Sequence, residues 1–187
     1  MSHDRGSTRK HDFEMAYTKV VTAEWPSWTL RSYPLFVPKE EHGLSSLIVP
    51  PTVTRLSVSA TDQEILTAAR DWADALAAQD YERAYGMTAH DSYAWSASLI
   101  RDVIEGYGLP ERHPAGPFRV TPLEDAKGGP RPRHEVKRYD QAAPDGAVAR
   151  IWFDLPLNGE WSDLTATFAV CQVGDDLVLC LNEIHVF

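Results

Sequence analysis

Three groups of side chains have types and spacing that could do acid–base chemistry. Glu183 and His185 stand at i and i+2 near the end of the chain. On a strand that spacing puts both on one face, where a carboxylate can orient and charge an imidazole. His90 and Asp91 lie between two helical patterns, and His90 could serve as a base there. Trp152 and Asp154 alternate with Ile151, Phe153 and Leu155, so a carboxylate shares a strand face with an indole and could act as an acid in a pocket. Each group also has a plainer and commoner reading. Glu183 and His185 can be a half-exposed pair at a strand end, Asp91 a helix N-cap, and Asp154 a surface partner of Arg150. Trp72, Tyr85, Tyr93 and Tyr107 recur at helical spacing, which reads first as core. Trp72, Tyr85, Tyr93 and Trp152 are the candidates for lining a ligand pocket. There is no glycine-rich phosphate loop, GxSxG elbow or HExxH motif. The two cysteines, Cys171 and Cys180, lack zinc-ligand spacing, so no metal and no cofactor is expected.

The elements that would position these groups follow from pattern. Thr61-Asp62-Gln63-Glu64 has the form of a capping box, and behind it Ile65, Ala69, Trp72 and Leu76 recur at helical spacing to about residue 79. Asp80 can cap a short second helix over 81–87. A third helical pattern runs over 92–107, and Gly108 and Pro110 stop it. Residues 109–133 are loop-like, with a short strand expected at 118–120. Seven Lys/Arg against three acids between Arg112 and Arg138 read as a solvated basic loop. Strands are expected at 148–157, 161–173 and 177–187. Asn158-Gly159 is a type I′ hairpin signal, and a second turn is expected at 174–176. With that hairpin centred on Asp175, Leu164, Ala166, Phe168 and Val170 share a face with Val178, Cys180, Ile184 and Val186. Leu179, Leu181, Glu183 and His185 then lie on the other face, and the two cysteines point to opposite sides.

The chain has 187 residues, 43% hydrophobic and 24% charged, which excludes disordered, collagen-like and coiled-coil classes. No apolar run approaches the ~20 residues that span a bilayer, and the polar start lacks a signal core, so no membrane association and a cytoplasmic location are expected. Residues 1–60, interrupted by five prolines, read as an extension lying on the main domain, 61–187, or on a partner. Its Trp25, Trp28, Tyr33 and Phe36 are too apolar for a free linker. The formal net charge is −9, and residues 61–187 carry eleven Lys/Arg against twenty-one Asp/Glu. Such a domain repels a phosphate backbone, so no nucleic acid is expected. It attracts basic partners.

Helices followed by an antiparallel meander make an α+β pattern. In its long first helix with Trp72, the phrase Asp80-Tyr81-Glu82-Arg83-Ala84-Tyr85 and its terminal hairpins, the chain over about 61–187 resembles the NTF2-like (SnoaL-like, cystatin-like α+β) superfamily. The resemblance implies a cone, with three N-terminal helices packed on a bent antiparallel sheet and a cavity at the wide end. It narrows shape more than function. The reading adopted is a non-enzymatic binding module engaging a protein partner or a small apolar ligand, an immunity-type protein neutralising a basic toxin being the most specific example. A cofactor-free lyase or isomerase with a His/carboxylate pair in the cone is the first alternative. The second is a homodimer through the outer sheet face, suggested by Leu179 and Leu181.

Overall fold

The computed structural model describes residues 47–91 and 95–186. Thr61 opens the first helix, α1 (Asp62–Ala77), through a reciprocal pair. The Glu64 N–H donates to the Thr61 hydroxyl at 3.3 Å and the Thr61 N–H to the Glu64 carboxylate at 2.7 Å. The expected box is present. These bonds hold the Glu64 carboxyl below its usual range. Asp80 caps α2 (Tyr81–Gly86) by accepting from the Arg83 N–H at 3.1 Å. The third helix, α3 (Ala97–Glu105), starts later than its periodicity suggested, because Ser96 is its cap and accepts from the Leu99 N–H at 3.1 Å. Asp91 is therefore no N-cap; it belongs to a strand.

The chain is α+β. Strands β1 (Leu47–Ile48) and β3 (His90–Asp91) form a two-stranded ribbon. The main sheet is antiparallel and curled, in the order β2-β7-β6-β5-β4, built from β2 (Arg55–Ser57), β4 (His134–Arg138), β5 (Ala147–Leu157), β6 (Glu160–Val173) and β7 (Asp176–Val186). The helices do not form one block ahead of the strands: β2 precedes them and β3 falls between α2 and α3. Residues 118–120 give only a bridge from Val120 to Leu157, not a strand. Asn158 and Gly159 have φ of 52° and 92° and turn β5 into β6 as their types require.

The β6–β7 register departs from the expected one. The turn holds two residues, Gly174 and Asp175, so Val173 faces Asp176, and Val170 and Phe168 face Leu179 and Leu181. A bulge at Asn182 then restores the other parity, and Thr167, Ala166 and Leu164 face Glu183, Ile184 and Val186. Leu179 and Leu181 therefore belong to the core with Phe168, and Val178 and Cys180 face outward with Cys171 and Ala169. The two cysteines share the outer face. The apolar outer patch offered for a homodimer is thus not made of Leu179 and Leu181. The outward group that replaces them is buried under the chain's own Val53, Ala89 and Tyr139 neighbourhoods.

Between helices and sheet, the Trp72 indole meets the Phe168 ring edge-on at 5.0 Å. Ile65, Leu76, Ile100, Ile104, Ile151, Phe153 and Leu164 surround the pair, each at most 2% exposed. Burial of such side chains contributes about 1.5–3 kcal/mol each. No helix among the described residues is long and apolar enough to cross a membrane.

Candidate functional site

The outer sheet face gathers three of the four acid–base candidates into a strip. His185 faces Thr165 and Thr165 faces Asp154; one step along, Glu183 faces Thr167 and Thr167 faces Trp152. Glu183 Oε2 lies 3.2 Å from His185 Nδ1, so the i,i+2 pair forms. It stands on the face turned away from the helices and is open to solvent, with the Glu183 side chain 65% exposed.

Asp154 is committed elsewhere. One carboxylate oxygen accepts from the Thr165 hydroxyl at 2.6 Å, the other from the Arg133 backbone N–H at 2.6 Å. Both oxygens work as a clamp that ties the entry of β4 to β5 and β6. Arg150 pairs with Asp145 instead, so the surface pair expected with Asp154 does not exist. Trp152 lies under the Arg133 guanidinium, 4.5 Å from the ring centroid. The basic loop is likewise tied down in part: Arg138 reaches Asp62 at 2.6 Å.

His90 is 1% exposed. Its ring stacks on Tyr85 at 4.0 Å, and its Nε2–H donates to the Tyr85 carbonyl at 2.6 Å. Nδ1 is buried without a partner among the described residues, and burial pushes the imidazole pKa below its usual value. Tyr85 and His90 thus meet at the α2–β3 junction, away from Asp154, Glu183 and His185. Trp72 is core. Tyr93 lies outside the described residues, as do the aromatic residues of the extension. No group of three or more His, Cys, Asp or Glu among the described residues could hold a metal.

A cleft of about 390 Å³ lies instead at the C-terminal end of α3, lined by Asp102, Glu105, Gly106, Pro110, Glu111, Arg112 and Pro117. It forms because α3 ends abruptly. The Gly108 N–H returns to the Val103 carbonyl at 2.8 Å and the Tyr107 N–H to Ile104 at 3.1 Å, the paired bonds of a Schellman turn. The left-handed position of that turn falls on Tyr107, φ 57°, one residue before the glycine that sequence suggested. Three contacts hold the ring there. Phe118 and His113 pack on it at 4.9 and 5.9 Å, and its hydroxyl donates to Asp163.

No family model, curated protein or solved structure matches this chain.

The lining is electronegative. Three carboxylates face one guanidinium, and the last turn of α3 holds no basic residue. That arrangement runs against the helix dipole, whose negative end is stabilised by cations. Sequence reasoning passed over this cleft, although Asp102 and Glu105 in the last turn of an amphipathic helix were a readable signal.

Proposed function

We propose that the chain is a non-enzymatic binding module of NTF2-like type, a cone with its three helices on the concave side of the sheet, that engages a basic protein partner. An immunity-type role against a basic toxin is its most specific form. The observation that carries the reading is that the space between α1 and the sheet is occupied by Trp72, Phe168 and their neighbours, while the acid–base candidates lie outside it or are spent on structure. Recognition is then left to the surface, and the surface of 61–187 is strongly acidic, with a balance of −10. Opposite charge speeds encounter and rejects acidic competitors.

The test is capture of partners from the source cell with the full chain as bait at low salt, followed by titration with the purified partner at 50 and 300 mM salt. A basic partner whose affinity falls at least about tenfold over that range supports the reading. An acidic partner, or salt-independent binding, refutes it.

A further inference from the structure

We infer that His90 is an acid-sensitive fastener for residues 47–54, a strap that covers part of the outer sheet face and comes away when the imidazole is protonated. This device is independent of the binding-module reading. Leu47, Val49 and Val53 of the strap pack with Ala89 on Ala169, Cys171, Val178 and Cys180. Pro50 and Pro51 supply no backbone N–H, so few hydrogen bonds can hold it. Among the described residues, those it makes to the rest of the chain go to one short stretch, 86–91. The Thr52 hydroxyl donates to the Gly86 carbonyl at 2.8 Å and the Thr54 N–H to the Met87 carbonyl at 3.1 Å. Strand β1 pairs with β3 through Leu47–Asp91 and Ile48–His90.

That stretch is itself fastened at two points. The Ala89 N–H donates to the Leu179 carbonyl of β7 at 2.7 Å, and His90 turns back onto the end of α2. There the Tyr85 carbonyl accepts from His90 Nε2 at 2.6 Å and from the Thr88 hydroxyl at 3.3 Å. A neutral imidazole suits this place. A proton on Nδ1 would add a second donor and a full charge to a ring 1% exposed, where no acceptor among the described residues meets Nδ1. Both carry a desolvation cost. Around the ring, α2 brings Tyr85 as its titratable group, and Cys180 of β7 lies beside the neighbouring Ala89. Neither β1 nor 49–54 brings any, and Asp91 follows on the same strand. The Tyr85 carbonyl favours the charged form, but burial outweighs it. Release of 86–91 with the strap rehydrates His90 and leaves Trp72 and Phe168 in place, because the strap belongs to a separate apolar cluster.

Hydrogen–deuterium exchange of the full chain at pH 7.5 and 5.0, each corrected for its intrinsic rate, tests the inference. Protection of Thr54, Ala89 and the β1–β3 pair should fall about ten- to thirtyfold at pH 5.0, the span that linkage gives when a released imidazole returns to its ordinary value of 6.5. Protection at 65–76 of α1 and 164–168 of β6 should hold. His90→Phe, which keeps the stacking, and His90→Gln, which keeps a donor for the Tyr85 carbonyl, should each make the strap's protection equal at the two pH values. His185→Gln should leave the drop intact. Undiminished protection of Thr54 and Ala89 at pH 5.0, equal loss across α1 and β6, a drop that persists in both His90 variants, or one that vanishes with His185 would overturn the inference.

Discussion

The Tyr107 hydroxyl donates to the Asp163 carboxylate, joining the residue that ends α3 to strand β6 across 56 positions of sequence. This bond fastens a tyrosine in a backbone conformation that glycine adopts more readily, and with it the wall of the α3 cleft. Because the carboxylate accepts from the neutral phenol, and burial and the Asp163 charge act in the same sense, the Tyr107 pKa is pushed up to about 12. The folded protein keeps this proton when the unfolded chain has lost it. Stability should therefore fall as pH rises from the ordinary value of 10 toward 12. Absorbance titration at 295 nm should find one tyrosine with a midpoint near 12, and Tyr107→Phe should abolish both that midpoint and its share of the alkaline loss.

His90 gives the opposite dependence. Buried and neutral, it resists a proton that the unfolded chain accepts below the ordinary value of 6.5. Stability should drop as pH falls below that value, through the interval down to the lowered pKa. His90→Phe, which keeps the stacking on Tyr85, should flatten this slope in urea melts at pH 5 to 7. At pH 7 the lost bond to the Tyr85 carbonyl, about 1 kcal/mol, is offset by removal of Nδ1, which has no partner among the described residues, so the net change should be small. An unchanged slope would place the acid sensitivity elsewhere.

Trp72 and Phe168 differ in what their loss should do. Phe168→Ala removes a fully buried ring and should cost about 3–5 kcal/mol. Trp72→Phe loses indole volume but also removes Nε1, a buried donor without a partner among the described residues. An unsatisfied donor carries a penalty of about 1–3 kcal/mol, so the net loss should be clearly smaller than for Phe168→Ala. Denaturant midpoints of the two variants compare them directly.

The bulge at Asn182 decides which way the end of β7 faces. Its carbonyl accepts from the Trp95 indole N–H at 3.2 Å. Deleting Asn182 removes the one unpaired residue, so Leu181–Phe168 and Glu183–Thr167 become neighbouring pairs of a straight ladder and Ile184 stays inward. The cost should be about 1 kcal/mol, through the lost bond from the Trp95 indole. Hydrogen exchange of residues 183–186 should change little in the deletion variant, and strong acceleration there would contradict this register.

What could be read from sequence was local. The Thr61 box, the Asp80 cap and the Asn158-Gly159 turn each depend on a few adjacent residues, and each is present. The β6–β7 sorting failed over half its length because Leu179, Leu181, Val178 and Cys180 are all apolar, so periodicity could not say which pair faces the helices. Only the turn length and the bulge settle that. Asp91 looked like a cap because its side chain suits one, yet Ser96 stands closer to the first buried turn of α3. The strip joining Asp154, Thr165 and His185 crosses three strands, and the α3 cleft depends on Tyr107 taking a position that favours glycine. Neither relation has a signature in spacing along the chain.

The most direct test is hydrogen–deuterium exchange of the full chain, alone and with its purified basic partner. Added protection confined to surface segments of 61–187, with the amides around Trp72 and Phe168 unchanged, is the expected result. Added protection around Trp72 and Phe168, or none within 61–187, would contradict recognition by the acidic surface.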